Sequence, residues 1–147
     1  MTILVTGGTG KTGLILSRLL KDANHSVLIA SRNGTAPSPY KAVKFDWSDE
    51  KTFENPFIAD PNIDRVYLVL PPVIGQLDTV KTFIDLAISK GVKRFVLLTA
   101  SVAEIGGPVL ELMWKVHEYL VNIKVEYTVL RPTWFIRTYL TPSESAT

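Results

Sequence analysis

The 147-residue sequence contains no cysteine and only two histidines, His25 and His117, which lie far apart in the chain. The lack of cysteine excludes disulfide bonds, cysteine-ligated zinc and thiol catalysis. Two separated histidines form no cluster, so no metal site is predicted. We interpret His25 as a surface residue of a turn and His117 as a structural or surface residue of a helix.

Long apolar runs and runs of like charge are also lacking. No stretch approaches the roughly 20 residues of a membrane span, and Met1 leads directly into a strand pattern without a targeting segment. The 16 basic and 14 acidic side chains give a net charge of +2 without any basic run, so neither nucleic acid nor a membrane is a predicted partner. The sequence therefore predicts a cytoplasmic protein with one domain, residues 1–140, and a frayed polar tail over residues 141–147.

A glycine-rich turn is the most informative feature that is present. It follows an apolar strand pattern at residues 2–5 and precedes an apolar helix pattern. Glycines at spacing three in this position are typical of a turn that holds a dinucleotide, because the helix N-terminus offers free N–H groups to the pyrophosphate. We predict that Gly7, Gly10, Lys11 and Thr12 hold the pyrophosphate. The whole predicted segment consists of Gly7, Gly8, Thr9, Gly10, Lys11, Thr12 and Gly13.

The end of this turn, Gly10-Lys11-Thr12, also matches the end of a nucleoside triphosphate-binding P-loop. That motif requires a glycine five positions before Gly10, where this sequence has Val5 inside the strand. The P-loop would also need a longer connection between strand and helix. We therefore reject the nucleoside triphosphatase interpretation.

The end of the second predicted strand, Ser31-Arg32-Asn33, indicates which dinucleotide is bound. A cofactor with a free ribose 2′-hydroxyl prefers an Asp or Glu about 20 residues after the glycines. A guanidinium can instead pair with a 2′-phosphate, to which Ser and Asn can also donate. NADP(H) is therefore the predicted cofactor, with Ser31 and Arg32 at its 2′-phosphate; the alternative is a solvated Arg32 at a strand end.

Two further segments follow strand patterns and are predicted to line the same site. Asp46-Trp47 follows the third strand, where a carboxylate can accept from the adenine amino group; a helix cap and a core aromatic residue are the alternatives. The fourth strand ends in Leu70, Pro71 and Pro72, which we expect to form a rigid wall near the ribose and nicotinamide.

The order of strand and helix patterns predicts an α/β fold. Strand patterns at residues 2–5, 26–32, 42–46, 64–70, 92–100 and 124–131 alternate with helix patterns. Such alternation indicates right-handed crossovers and a doubly wound, mostly parallel Rossmann sheet with helices on both faces. A short helix is predicted over residues 48–55 and a proline-bracketed linker over residues 56–61.

Three segments together resemble a known family: the glycine turn, Ala30-Ser31-Arg32, and the strand Tyr127–Pro132. The sequence resembles the NmrA-like branch of the atypical short-chain dehydrogenases, and within it the fungal agroclavine and festuclavine dehydrogenases of ergot alkaloid biosynthesis. The resemblance spans residues 1–140. It implies an NADP(H)-dependent oxidoreductase acting on a small-molecule substrate.

Two departures from the family pattern bear on activity. Short-chain dehydrogenases that reduce carbonyls carry a Tyr-x-x-x-Lys dyad as proton donor, whereas alignment puts Val109 and Met113 at those positions; Ser101 falls where the family has a substrate-polarising serine. An iminium carbon accepts hydride without a proton donor, which agrees with the alkaloid resemblance. The missing dyad also agrees with an NmrA-like sensor that binds the cofactor without turnover.

The second departure is length, since family members usually continue well beyond the sixth strand. The cofactor half is expected to be complete and the substrate half mostly missing. An exposed sheet edge and uncovered apolar surface would then favour a homodimer or aggregation.

Overall fold

A six-stranded sheet forms the centre of the molecule in the computed structural model, which describes residues 1–71, 75–100 and 108–132. Its strand order is β3-β2-β1-β4-β5-β6, and all five neighbouring pairs are parallel. The doubly wound α/β prediction is confirmed. The strands are β1 (Thr2–Thr6), β2 (Ser26–Ser31), β3 (Lys41–Lys44), β4 (Ile63–Val69), β5 (Arg94–Leu98) and β6 (Glu126–Leu130).

Helices connect the strands at nearly all the positions that the apolar periodicity indicates. They are α1 (Lys11–Asp22), α2 (Asn55–Ala59), α3 (Leu77–Ser89) and α4 (Pro108–Asn122), with a 3₁₀ turn at Glu50–Thr52. The predicted linker over residues 56–61 is wrong, because α2 occupies most of it. Pro56 is compatible with a helix there since it lies in the first turn, where no intrahelical N–H bond is needed.

The main hydrophobic core lies between the sheet and the pair α3 and α4. Alternate side chains of the strands point to this face, including Leu4, Val66 and Leu97, which are fully buried. Helix α1 covers Val5 and Ile29 on the other face, as right-handed crossovers require. Helices therefore lie on both faces of the sheet.

The order of the strands in the sheet indicates where a ligand would bind. The chain moves from β1 to β2 in one direction and from β3 to β4 in the other, so the order reverses between β1 and β4. In open α/β sheets, ligands bind outside the carboxyl ends of the strands at such a switch point. No helix in the described ranges is long and apolar enough to cross a bilayer.

Candidate functional site

A cleft of about 560 Å³ opens at the switch point, along the carboxyl ends of β2, β1 and β4. Its walls come from the glycine turn after β1, the segments that follow β2 and β3, and the end of β4. Volumes of 300–1,000 Å³ are usual for small-molecule sites. The lining residues are Gly7, Thr9, Gly10, Ala30, Ser31, Arg32, Phe45, Asp46, Trp47, Ser48, Val69, Leu70, Pro71 and Gln76.

The glycine turn leaves both space and hydrogen-bond donors for an anion. Gly7 has φ of +60°, a conformation that favours glycine, and its carbonyl accepts from the N–H of Gly10 at 2.9 Å. A Cβ added at Gly10 would meet only that carbonyl oxygen, at 3.1 Å, and would otherwise enter the cleft. No side chain caps the N-terminus of α1, so its first N–H groups are available to a ligand.

Other residues of the turn support it from behind the cleft. A Cβ at Gly13 would lie 2.7 Å from the Gly8 Cα and still closer to the Gly7 carbonyl oxygen, so only glycine allows this packing. Burial raises the pKa of the Tyr67 phenol, and a hydrogen bond with the Thr12 side chain opposes that shift. Gly8, Lys11, Thr12 and Gly13 are not among the residues that line the cleft.

Thr6 fixes the strand end from which the turn departs. Its hydroxyl is fully buried, donates to the Tyr67 carbonyl at 3.0 Å and accepts from the Val69 N–H at 2.8 Å. These bonds hold β1 against β4 where regular pairing ends. The glycine turn therefore starts from a fixed point of the sheet.

Ser31 and Arg32, at the end of β2, have different roles. The Ser31 hydroxyl is buried and donates to the Thr35 carbonyl at 2.7 Å, with Asn33 Oδ1 at 3.2 Å. It organises the loop after β2, so its single proton is already engaged. Arg32 is exposed, lines the cleft, and forms no ion pair within the described ranges.

Asp46 follows the neighbouring strand β3, also lines the cleft and is held as a carboxylate. Its Oδ1 accepts from the Ser48 hydroxyl at 2.7 Å and from the Ser48 N–H at 2.9 Å. These bonds, aided by the charges of Arg32 and Lys44, lower the pKa of Asp46. Both bonds use Oδ1, and within the described ranges no donor reaches Oδ2, which leaves an acceptor for a ligand.

Trp47 both lines the cleft and packs in an aromatic cluster. Its ring makes edge contacts with Phe45, Phe53 and Phe83, with centroids 4.9, 5.8 and 5.4 Å apart. The cluster fixes the floor of the cleft below Asp46. The core alternative for Trp47 is therefore seen beside its cleft position. The helix-cap alternative for Asp46 is wrong, because Asp49 is the residue whose side chain caps the 3₁₀ turn Glu50–Thr52.

The far end of the cleft is apolar. Leu70 and Pro71 are buried and line it after β4, as predicted, whereas Pro72 lies outside the described residues. Gln76, just before α3, was missed by the sequence reasoning. Its Oε1 is buried and has no hydrogen-bond partner among the described residues, and a polar residue between a strand end and a helix was the only signal for it.

The expected catalytic positions are only partly visible. Ser101 lies outside the described residues, and at Val109 only the helical backbone is described. Met113 is half-buried on α4 and lines a different, apolar pocket. Within the described ranges no group of three or more potential ligands could hold a metal ion.

Three features of the cleft are compatible with binding of a dinucleotide. It combines free N–H groups at a long helix, a cation at one end and an apolar wall at the other. The glycine backbone allows close approach at the middle, where a pyrophosphate would lie.

Comparison with known proteins agrees with this geometry. A family model described as NAD(P)H-binding matches residues 7–144. Agroclavine dehydrogenase of Claviceps purpurea is 45% identical over 98% of this chain and 50% of its own length. Festuclavine synthase II of Penicillium roqueforti is 44% identical over 95% of this chain and 50% of its own length. The chain thus spans about half the length of these curated relatives.

Among solved structures, the triphenylmethane reductase of Citrobacter sp., complexed with NADP(H), superposes with a TM-score of 0.80 at 17% identity. The match covers 96% of this chain and 52% of that one, and it supports the fold. The chain therefore belongs to the NAD(P)H-binding family, as an atypical short-chain dehydrogenase related to agroclavine dehydrogenase and festuclavine synthase.

Proposed function

We propose that this chain is the cofactor-binding part of an NADPH-dependent reductase that delivers hydride to a cyclic iminium intermediate of clavine alkaloids. The observation that carries the proposal is the 45% identity with agroclavine dehydrogenase over nearly the whole chain. The cleft at the switch point supports it independently, because it presents the groups that a dinucleotide needs.

The proposed roles follow the cleft from end to end. Backbone N–H groups at the start of α1 bind the pyrophosphate, and Lys11, the first residue of that helix, adds a positive charge near it. The free Oδ2 of Asp46 accepts from the adenine amino group, and Arg32 pairs with the 2′-phosphate. Leu70 and Pro71 provide the flat apolar wall beside the ribose and nicotinamide.

The proposed reaction requires little acid–base catalysis by the protein. A bound nicotinamide supplies the hydride. An iminium carbon is already electrophilic and its reduction needs no proton donor, which is compatible with Met113 standing in place of the dyad lysine. The chain's own part is then to orient the cofactor face and to exclude water with its apolar wall.

Arg32 gives the sharpest test of the cofactor assignment. Replacing it in Arg32→Ala is expected to weaken NADPH binding by about 1.5–3 kcal/mol, the range for charged hydrogen bonds, and to leave NADH binding nearly unchanged. Fluorescence titration of the purified chain with each cofactor measures both. Arg18→Ala, an exposed arginine of α1 outside the cleft, is the matched control. Equal losses for both cofactors would contradict a 2′-phosphate role.

The second candidate is a sensor that binds NADP(H) without turnover, favoured by the absence of the Tyr-x-x-x-Lys dyad. The two are separated by adding an iminium salt to the chain with NADPH and following absorbance of the reduced cofactor. Oxidation that depends on the chain supports the reductase. Saturable NADPH binding without oxidation contradicts turnover by this chain alone.

A further inference from the structure

Gln76 carries a buried polar atom that the fold leaves without a partner. Its Oε1 is shielded from solvent, and no hydrogen-bond donor among the described residues reaches it. The side chain does not cap α3 either, although Gln76 stands at the N-terminus of that helix. An unpaired buried acceptor costs stability, so native proteins contain few of them and each one needs an explanation.

One other such atom, Oδ1 of Asp64, is found among the described residues, and the two atoms differ in their surroundings. Asp64 lies near the amino end of β4, and its second carboxylate oxygen is 3.8 Å from the Arg65 guanidinium. Gln76 instead lines the cleft at the switch point. A ligand bound in that cleft can therefore supply the donor that Oε1 of Gln76 lacks.

Packing connects Gln76 with Asp46, which lines the same cleft. The Gln76 carbonyl accepts from the Val80 N–H at 3.0 Å, so Gln76 follows the helical register, and Phe83 lies two turns further along the same face of α3. The centroid of the Phe83 ring is 5.4 Å from that of Trp47, which directly follows Asp46. Gln76 and Asp46 are thus held at the cleft by segments that pack on each other.

Gln76 and Asp46 each offer an unused acceptor to a ligand. Within the described ranges, neither Oε1 of Gln76 nor Oδ2 of Asp46 receives a hydrogen bond. In a dinucleotide cofactor, the adenine amino group carries two N–H donors on one nitrogen and stands next to the ring acceptor N7. A glutamine amide complements that edge, because its oxygen can accept from the amino group while its N–H donates to N7.

We propose that Gln76 is a second adenine-recognition residue and that, together with Asp46, it selects adenine over purines that lack the amino group. Hypoxanthine has a carbonyl oxygen at this position and would place an acceptor against two acceptors. This inference rests on the proposed cofactor binding and adds the base preference of the site. The glycine turn and Arg32 are assigned to phosphates, so they do not distinguish the bases.

The test compares NADPH with deamino-NADPH, which carries hypoxanthine in place of adenine, in fluorescence titrations of the full chain. We expect the unmodified chain to bind NADPH about 10-fold to 100-fold more tightly. Gln76→Leu nearly keeps the size of the side chain and removes its hydrogen-bonding atoms. It should reduce the preference for NADPH by about threefold to tenfold, with Asp46 still present. Asn122→Leu, which replaces an exposed amide at the end of α4, is the matched control and should preserve the preference.

Gln76→Glu separates base recognition from a purely structural role. The new carboxylate keeps an acceptor for the amino group and adds negative charge near the phosphates, so both cofactors should bind more weakly. The preference for NADPH should nevertheless stay at least as large as in the unmodified chain, because the hypoxanthine oxygen still meets an acceptor. Recognition of adenine therefore predicts that the preference falls in Gln76→Leu and is retained in Gln76→Glu.

The ratio of the two dissociation constants decides the outcome. A folding defect, or a contact from Gln76 to a sugar hydroxyl, would weaken both cofactors by the same factor in Gln76→Leu. An unchanged ratio in that variant, or equal binding of both cofactors by the unmodified chain, would overturn the adenine role of Gln76 and leave NADPH binding itself intact. An unmodified chain that binds neither cofactor would overturn the adenine role together with the proposed function.

Discussion

Gly13 affects both the stability of the fold and the shape of the cofactor site, because the glycine turn packs against it without a side chain between them. A Cβ there would collide with backbone atoms of Gly7 and Gly8, which cannot move aside as a flexible side chain would. We expect Gly13→Ala to lower the free energy of unfolding by about 1–3 kcal/mol, the usual cost of overpacking. Urea denaturation measures this loss.

Gly10→Ala is the matched control for that experiment. Its added Cβ would meet a single backbone atom at 3.1 Å and would occupy cleft space instead of packed space. Stability should change little, whereas NADPH affinity should fall by at least about tenfold, because the pyrophosphate can no longer approach the backbone. If Gly10→Ala destabilises the chain as much as Gly13→Ala does, the division between packing and binding glycines is wrong.

Most of the residues that line the cleft could be predicted from the sequence, and there is a physical reason why the others could not. The glycine spacing and the strand ends at Arg32 and Asp46 are local patterns, so they could be identified without the fold. The engagement of the Ser31 hydroxyl with Thr35 depends on how the following loop turns back, which no spacing specifies. Gln76 was missed for the same reason, since only the folded chain brings the start of α3 beside the glycine turn.

At the scale of elements, Phe83 links α3 to the segment after β3. It is fully buried and touches four aromatic rings, those of Phe45, Trp47, Phe53 and Phe57. Phe83→Ala should cost about 3–5 kcal/mol of stability, measured by chemical denaturation. Phe83→Leu retains most of the volume and should cost less. Equal, small effects of both variants would show that the cluster does not hold the floor of the cleft.

The pair α3 and α4 is joined at the surface by Tyr119, whose hydroxyl donates to the Asp85 carboxylate. This hydrogen bond to the anion raises the pKa of Tyr119 to about 12, above the roughly 10 of an unfolded tyrosine. The folded-state pKa is the higher one, so the contribution to stability is complete below pH of about 10 and declines as pH rises towards about 12.

Tyr119→Phe is therefore expected to lower the free energy of unfolding by about 0.5–1.5 kcal/mol at pH 8. The difference from the unmodified chain should shrink above pH of about 10. Urea unfolding at pH 8 and pH 10.5 checks both statements. Tyr40→Phe is a suitable control, because no hydrogen bond of that hydroxyl occurs in the described ranges. A difference that stays constant with pH would contradict the assigned role of the Asp85 contact.

The type of an element, helix or strand, could be predicted from the sequence where the apolar pattern is long. The residues at which elements begin and end could not. The periodicity of α3 and α4 is compatible only with helices, and the apolar residues 66–69 of β4 are compatible only with a buried strand. Helix α2 has only five residues and contains Pro56, so local propensity favoured a linker, and burial of Pro56 and Phe57 against the core decided otherwise. Short elements of this kind depend on tertiary packing more than on their own sequence.

At the scale of the whole molecule, the sheet could be predicted because handedness and connection length leave few topologies for alternating strands and helices. The sequence could not show which sheet surface the described residues leave exposed. Leu97 and Val129 pack in the core, so Val96, Leu98 and Leu130 point to the opposite face. None of those three side chains belongs to the core cluster, and Leu130 is 43% exposed.

This uncovered surface beside β6 leads to a prediction about assembly. Strand β6 pairs with β5 along one edge, and within the described ranges no strand pairs with its other edge. We expect the chain to self-associate through this region, because a second copy can bury Leu130 and pair the open edge. Leu130→Lys should weaken that association by roughly tenfold or more, the loss expected for one well-buried leucine. Sedimentation velocity over a concentration series measures the effect.

The matched control is Leu19→Lys, a leucine of α1 that is 56% exposed and far from β6 in sequence. A general loss of apolar surface would make both variants less associated to the same degree. Association through β6 predicts that only Leu130→Lys shifts the series towards the monomer, with NADPH affinity unchanged because the cleft does not include Leu130. A chain that stays monomeric throughout the series would show that this face and the edge of β6 do not by themselves drive pairing.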